Sequence, residues 1–168
     1  LRLKRSPTWL GAAVLMLASC ASGETTLSGA NSAFSEGELT RHFDNAQVQS
    51  LGAPFVRAGL AALEKRDFPA AQRGFNRALK FDPTNSQLHY LNGLSYHLRA
   101  AAGDSSQKDF AAIGYRLALQ YDPSNYWAAY QLGHINFEDH RFREAQEAFA
   151  YGLLFAPEDL TLRKALAA

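Results

Sequence analysis

The sequence predicts an all-α fold: a solenoid of three helix-turn-helix repeats followed by a short C-terminal capping helix. Two observations carry this prediction, a recurrent pattern of small, aromatic and proline residues and an apolar spacing typical of helices. A third is the composition, 47% hydrophobic and 20% charged over 168 residues, which is that of an ordinary globular chain. The recurrent positions are Gly59, Ala71, Phe75, Ala78 and Pro83, then Gly93, Ala111, Tyr115, Ala118 and Pro123, then Gly133, Ala145, Phe149, Gly152 and Pro157.

Each repeat is expected to contain two antiparallel helices, a first helix A and a second helix B. A glycine in helix A and an alanine in helix B lack bulk, so the two helices can approach closely, and the proline ends the unit. The predicted boundaries are 52–85, 86–125 and 126–159, with a six-residue insertion around 101–107 in the second repeat. Residues 160–168 are predicted to form the capping helix, because a terminal repeat needs its exposed face covered.

This pattern resembles the tetratricopeptide repeat, in which partners bind a concave face lined by the A helices. The resemblance implies an inner strip of aromatic, aliphatic and histidine side chains that would contact a protein or peptide. Chaperone-binding members of the family hold a carboxylate with Lys, Arg and Asn at these positions, whereas this strip is apolar and nearly uncharged. An extended apolar or amphipathic segment is therefore the favoured partner. The strip comprises Leu60, Tyr90, Leu94, His97, Trp127, Tyr130, His134 and Phe137.

The first fifty residues have a different character. Residues 1–19 combine a basic start with the apolar run 9–18, which is typical of a cleaved signal peptide and too short to span a bilayer permanently. The sequence Leu-Ala-Ser-Cys that ends at Cys20 resembles the lipobox of bacterial lipoproteins, which implies that Cys20 carries the lipid anchor. A flexible linker over 20–35 and a lead-in helix over 36–51 are predicted to follow.

Several functional classes are not favoured. Seventeen Lys and Arg against sixteen Asp and Glu give no basic field for nucleic acid, and a single cysteine excludes disulfides and multi-cysteine metal sites. Catalytic motifs such as nucleophile elbows, phosphate loops and His-Glu-x-x-His are absent. The sequence therefore predicts no enzyme, no cofactor and no metal site.

The favoured function is that of a membrane-anchored scaffold. It would face the periplasm from the inner leaflet of the outer membrane and bind another envelope protein. Its make-up resembles lipoproteins of pilus or secretion assembly and envelope adaptors. An envelope enzyme or ligand-binding lipoprotein that uses the region of His97 and His134 is the alternative. A homodimer is a further alternative, because three repeats with a short cap leave apolar edges.

Overall fold

A computed structural model describes residues 51–167 of the chain. The predicted signal peptide, Cys20, the linker and all but the last residue of the predicted lead-in helix lie outside these residues. Within them the structure contains α-helices, a single 3-10 turn over Ser105–Gln107, and no strand. The helices are α1 Ala53–Glu64, α2 Phe68–Ala78, α3 Ser86–Ala101, α4 Lys108–Tyr121, α5 Tyr126–Glu138, α6 Phe142–Phe155 and α7 Leu160–Leu166.

The helices form three A/B pairs, α1 with α2, α3 with α4 and α5 with α6, and α7 packs on α6. Between residues 51 and 167, every extensive helix-helix contact joins two helices that are consecutive in sequence. This is the arrangement of a solenoid, in which a unit contacts only its neighbours. The predicted fold class, with three helix-turn-helix units and a terminal helix, is confirmed. None of the described helices is long and apolar enough to cross a bilayer.

The A helices of the second and third repeats begin where the sequence provides capping side chains. Asn85 Oδ1 accepts a hydrogen bond from the Leu88 amide at 3.0 Å, and Asn125 Oδ1 accepts one from the Ala128 amide at 3.2 Å. Asn125 also donates to Ser86 Oγ at 2.9 Å, and that hydroxyl donates to the carbonyl of Ala118 at 2.8 Å. The caps therefore satisfy free amides at the helix starts, and Asn125 also connects the start of α5 to α3 and α4.

Close contact between the two helices of a repeat depends on glycine opposite an aromatic ring. Phe75 and Phe149 are buried against Gly59 and Gly133. A Cβ atom on Gly133 would lie 2.5 Å from Phe149 Cε1, and one on Gly59 would lie 2.7 Å from Phe75 Cε1. The recurrent glycine is therefore a packing requirement, since any side chain there would collide with the ring.

The insertion in the second repeat lengthens helix A. Helix α3 has 16 residues, against 12 in α1 and 13 in α5, and the 3-10 turn Ser105–Gln107 follows it. Gly103, between the end of α3 and this turn, has φ +115°, a conformation that favours glycine. The extra residues therefore extend α3 before the chain reverses into α4.

Candidate interaction surface and histidine cluster

The predicted inner strip lies on the A helices of all three repeats. Leu60 is in α1, three members are in α3, and four are in α5. Rings of the second and third repeats are in contact: the His97 and His134 centroids are 5.9 Å apart, and Tyr130 lies 6.4 Å from His134. Trp127 meets Tyr130 edge-on at 6.4 Å. The structure therefore joins residues of α3 and α5 into one continuous aromatic and imidazole surface.

Burial divides the strip into two sets. Tyr90 and Leu94 are essentially inaccessible, and His97 and Tyr130 are also buried. Leu60, Trp127, His134 and Phe137 are half-buried and keep part of their side chains accessible. The buried set supports the strip from below, and the half-buried set is what a partner could contact. Sequence spacing could not separate the two sets, because both fall on the same face of helix A.

Phe137 lies at the end of the strip that faces the capping helix. It lines a cavity of about 310 Å³ between α5, α6 and α7. Phe142, Phe149 and Leu166 contribute to the same wall, and Phe142 meets Phe137 edge-on at 5.4 Å. Phe137 thus belongs to the contact with the terminal helix as well as to the strip.

His97 is held as a neutral imidazole between two repeats. Its Nδ1 lies 3.2 Å from the hydroxyl of Tyr115, a residue of the recurrent packing pattern. Burial lowers the pKa of His97 to about 4, against the weaker opposing effect of Glu138. Burial also raises the pKa of the Tyr115 hydroxyl, so both groups are uncharged at neutral pH.

An acidic residue that sequence reasoning missed completes this region. Glu138 Oε1 lies 3.1 Å from His134 Nδ1, and Glu138 Oε2 lies 3.1 Å from Lys108 Nζ. Contact with His134 and then with Lys108 holds the pKa of Glu138 at about 2. Lys108 also pairs with Asp139 at 2.9 Å. The signal available in the sequence was the spacing of His134 and Glu138, four residues apart on one face of a helix.

His97, His134 and Glu138 form a histidine cluster that could hold a metal ion. One potential ligand atom from each residue lies within 4.8 Å of the others. Two imidazoles and a carboxylate are a known ligand set for zinc, with a further position left for water or another ligand. The sequence predicts no metal site, although the alternative function uses the region of His97 and His134, and Glu138 was not among the candidate residues.

Comparisons with known proteins agree with this architecture. No protein-family model matches the chain. The chain is 32% identical over 126 residues to the small glutamine-rich tetratricopeptide repeat-containing protein 2 of Mycosarcoma maydis, a match that covers 74% of this chain. The matched region is 33% of that relative, so the chain spans about a third of its length.

Solved structures show the fold more directly. The Arabidopsis OM64 TPR domain has a TM-score of 0.62 at 19% identity and covers 73% of this chain and 94% of its own. The Sgt2 TPR domain from Aspergillus fumigatus has a TM-score of 0.62 at 21% identity, over 71% of this chain and 76% of its own. The first TPR of Spaghetti (RPAP3), bound to the HSP90 peptide SRMEEVD, has a TM-score of 0.63 at 17% identity. The match covers 71% of this chain and 91% of that structure's chain. The chain therefore has a tetratricopeptide-repeat fold.

Proposed function

We propose that this chain is a non-catalytic scaffold that binds a protein or peptide segment along the inner strip. The observation that carries the proposal is the accessible part of the strip, formed by Leu60 on α1 and by Trp127, His134 and Phe137 on α5. Partly accessible aromatic side chains above a rigid, buried layer are typical of the core of an interface. A structure with the same fold was solved with a bound peptide, which supports a peptide as the kind of partner.

The chemistry of the strip favours an extended apolar or amphipathic segment. None of its eight residues is a lysine or an arginine, so it provides no fixed positive charge for a peptide carboxylate. His97 is neutral at physiological pH, because burial lowers its pKa to about 4. Apolar anchors on the partner, accepted beside Trp127 and Leu60, would therefore contribute most of the binding energy.

Site-specific photo-crosslinking tests the strip in the intact chain. A benzoylphenylalanine residue at Trp127 should form discrete adducts with one or a few proteins on irradiation in cells. The same residue at Leu154, which is 74% exposed on α6, is the control for an accessible apolar position elsewhere. Adducts that form equally at both positions, or at neither, would contradict binding at the strip.

We further propose that the scaffold is anchored to the periplasmic side of the bacterial envelope, with pilus or secretion assembly as the setting. The support comes from the sequence: the apolar run 9–18 is followed by Ser19 and Cys20 in a lipobox-like segment. A lipidated cysteine that carries two or more acyl chains anchors stably, whereas a single chain binds only marginally.

The test of anchoring is independent of the strip. Cys20→Ser should abolish fatty-acid labelling and move the protein from the membrane fraction to the soluble fraction. Ser19→Ala, which keeps a small residue before the cysteine, is the control and should label normally. A wild-type chain that incorporates no fatty acid would contradict the proposed anchor.

The alternative of a ligand-binding lipoprotein has one specific observation in its favour. The structure brings His97 and His134 into contact, as that alternative requires, and adds Glu138 to them.

A further inference from the structure

We propose that His97, His134 and Glu138 bind one divalent transition-metal ion, of which Zn²⁺ is the representative probe. The three potential ligand atoms lie within 4.8 Å of one another. Imidazole nitrogen and carboxylate oxygen are ligands that Zn²⁺ accepts at about 2.0–2.2 Å, so neighbouring ligands of a tetrahedral site lie roughly 3.3 Å apart. His134 Nδ1 and Glu138 Oε1, 3.1 Å apart, already have nearly this separation.

Part of the hydrogen bonding of the two histidines is compatible with metal binding, but a hydrogen bond between His97 and the Gln131 side chain would have to break. His97 uses Nδ1 toward the Tyr115 hydroxyl, which fixes the orientation of the ring from behind, as groups next to metal ligands commonly do. His134 Nδ1 is buried and, despite its closeness to Glu138, has no hydrogen bond of acceptable geometry. A buried polar atom without a hydrogen bond is costly, and coordination to a metal would satisfy it.

The main competitor of the metal is Lys108. Its ammonium group lies 3.1 Å from Glu138 Oε2 and contributes a positive charge close to the site. However, Lys108 also contacts Asp139 Oδ1 at 2.9 Å, so it can remain paired while Glu138 Oε1 binds the metal. The lysine would then hold the outer oxygen of a ligating carboxylate, an arrangement compatible with metal binding.

The location of the cluster gives the metal a structural consequence. His97 is on helix A of the second repeat, while His134 and Glu138 are on helix A of the third. The two histidines are largely buried, but the Glu138 side chain is 37% exposed, which leaves a path for the ion from solvent. Three protein ligands leave at least one coordination position free on the accessible side. A bound ion would therefore add a metal link between two repeats that also meet through packing, hydrogen bonds and the ion pairs of Lys108.

The experiment measures Zn²⁺ binding to the full chain without a histidine tag, with Cys20→Ser in every sample so that no thiol competes. After treatment with a chelator and its removal, calorimetric titration should give one Zn²⁺ per chain, and Zn²⁺ should raise the thermal midpoint. Co²⁺ should give the visible absorption bands of a four-coordinate ion. His134→Gln and Glu138→Gln, both at partly accessible positions, should each weaken Zn²⁺ binding at least tenfold while the chain stays folded.

Two further variants make the result specific to this site. His140→Asn removes a neighbouring histidine outside the cluster and should leave the affinity unchanged. Lys108→Met removes the competing cation and should tighten Zn²⁺ binding several-fold. If the Lys108–Glu138 ion pair served only the fold, its removal would not increase the affinity for Zn²⁺. The proposal is overturned if no saturable binding occurs, or if binding persists unchanged in His134→Gln and Glu138→Gln. It does not depend on the proposed function, because a failed crosslink at Trp127 would leave the titration unaffected.

Discussion

At the scale of single residues, the stability of this fold depends on keeping His97 neutral. The unfolded chain takes up a proton at this residue near pH 6.5, whereas in the folded chain burial lowers the pKa to about 4. The stabilisation is therefore complete above pH 6.5 and is lost as the pH falls from 6.5 toward 4. In the metal-free protein we expect the free energy of unfolding to fall by about 1–2 kcal/mol between pH 7 and pH 5 from this residue.

Urea denaturation at the two pH values, in the presence of a chelator, measures this loss. His97→Asn keeps a polar atom near the Tyr115 hydroxyl but does not titrate, so most of the difference between pH 7 and pH 5 should disappear. His140→Asn, at an exposed turn position, should retain it. If His97→Asn loses as much stability in acid as the parent chain, another group is responsible for the pH dependence.

At the scale of elements, the capping helix α7 is short and depends on one buried side chain. It has seven residues, fewer than an isolated helix needs, and is capped by Asp159, which accepts hydrogen bonds from the amides of Thr161 and Leu162. Leu162 is 1% exposed and packs where Gly152 leaves space on α6. Leu162→Ala should therefore lower the free energy of unfolding by about 2 kcal/mol. This loss is at the lower end of the range for truncating a buried leucine to alanine, because the site is terminal.

The same helix provides the control for this prediction. Leu160 is 66% exposed, so Leu160→Ala should change the free energy of unfolding by no more than about 0.5 kcal/mol. Circular dichroism during urea denaturation measures both variants. Equal effects of the two substitutions would mean that α7 does not pack on α6 as the structure describes.

The elements were largely predictable because their signals are local. The spacing of glycine, alanine, aromatic and proline specifies two helices per repeat, and Asn85 and Asn125 mark helix starts through their own capping bonds. The extension of α3 to Ala101 was not predicted. An insertion can be placed in a longer helix or in a longer loop, and the choice depends on tertiary packing that local propensity does not contain.

The candidate site was predictable only in part. The resemblance to the tetratricopeptide repeat assigned eight strip residues to the A helices, and the structure places all eight on those helices; their role in binding stays a prediction. Which of them would be buried, such as Tyr90 and Leu94, depends on how the repeats pack on one another. His97 and His134 were paired in the alternative function, but Glu138 escaped prediction because it lies outside the repeat pattern.

At the scale of the whole molecule, stability should vary along the array. Extensive contacts in the described residues join consecutive helices, so α7 is held from one side by α6, whereas α4 packs against both α3 and α5. Native-state hydrogen exchange measures the free energy of the opening that exposes each amide. This opening free energy should be at least about 1.4 kcal/mol lower for the amides of α7 than for those of α4, which corresponds to a tenfold larger population of the open state. Leu162→Ala should widen this gap without changing exchange in α4. If α7 and α4 instead show equal protection, equal to the global free energy of unfolding, the chain unfolds as one cooperative unit and the description as a nearest-neighbour array is wrong.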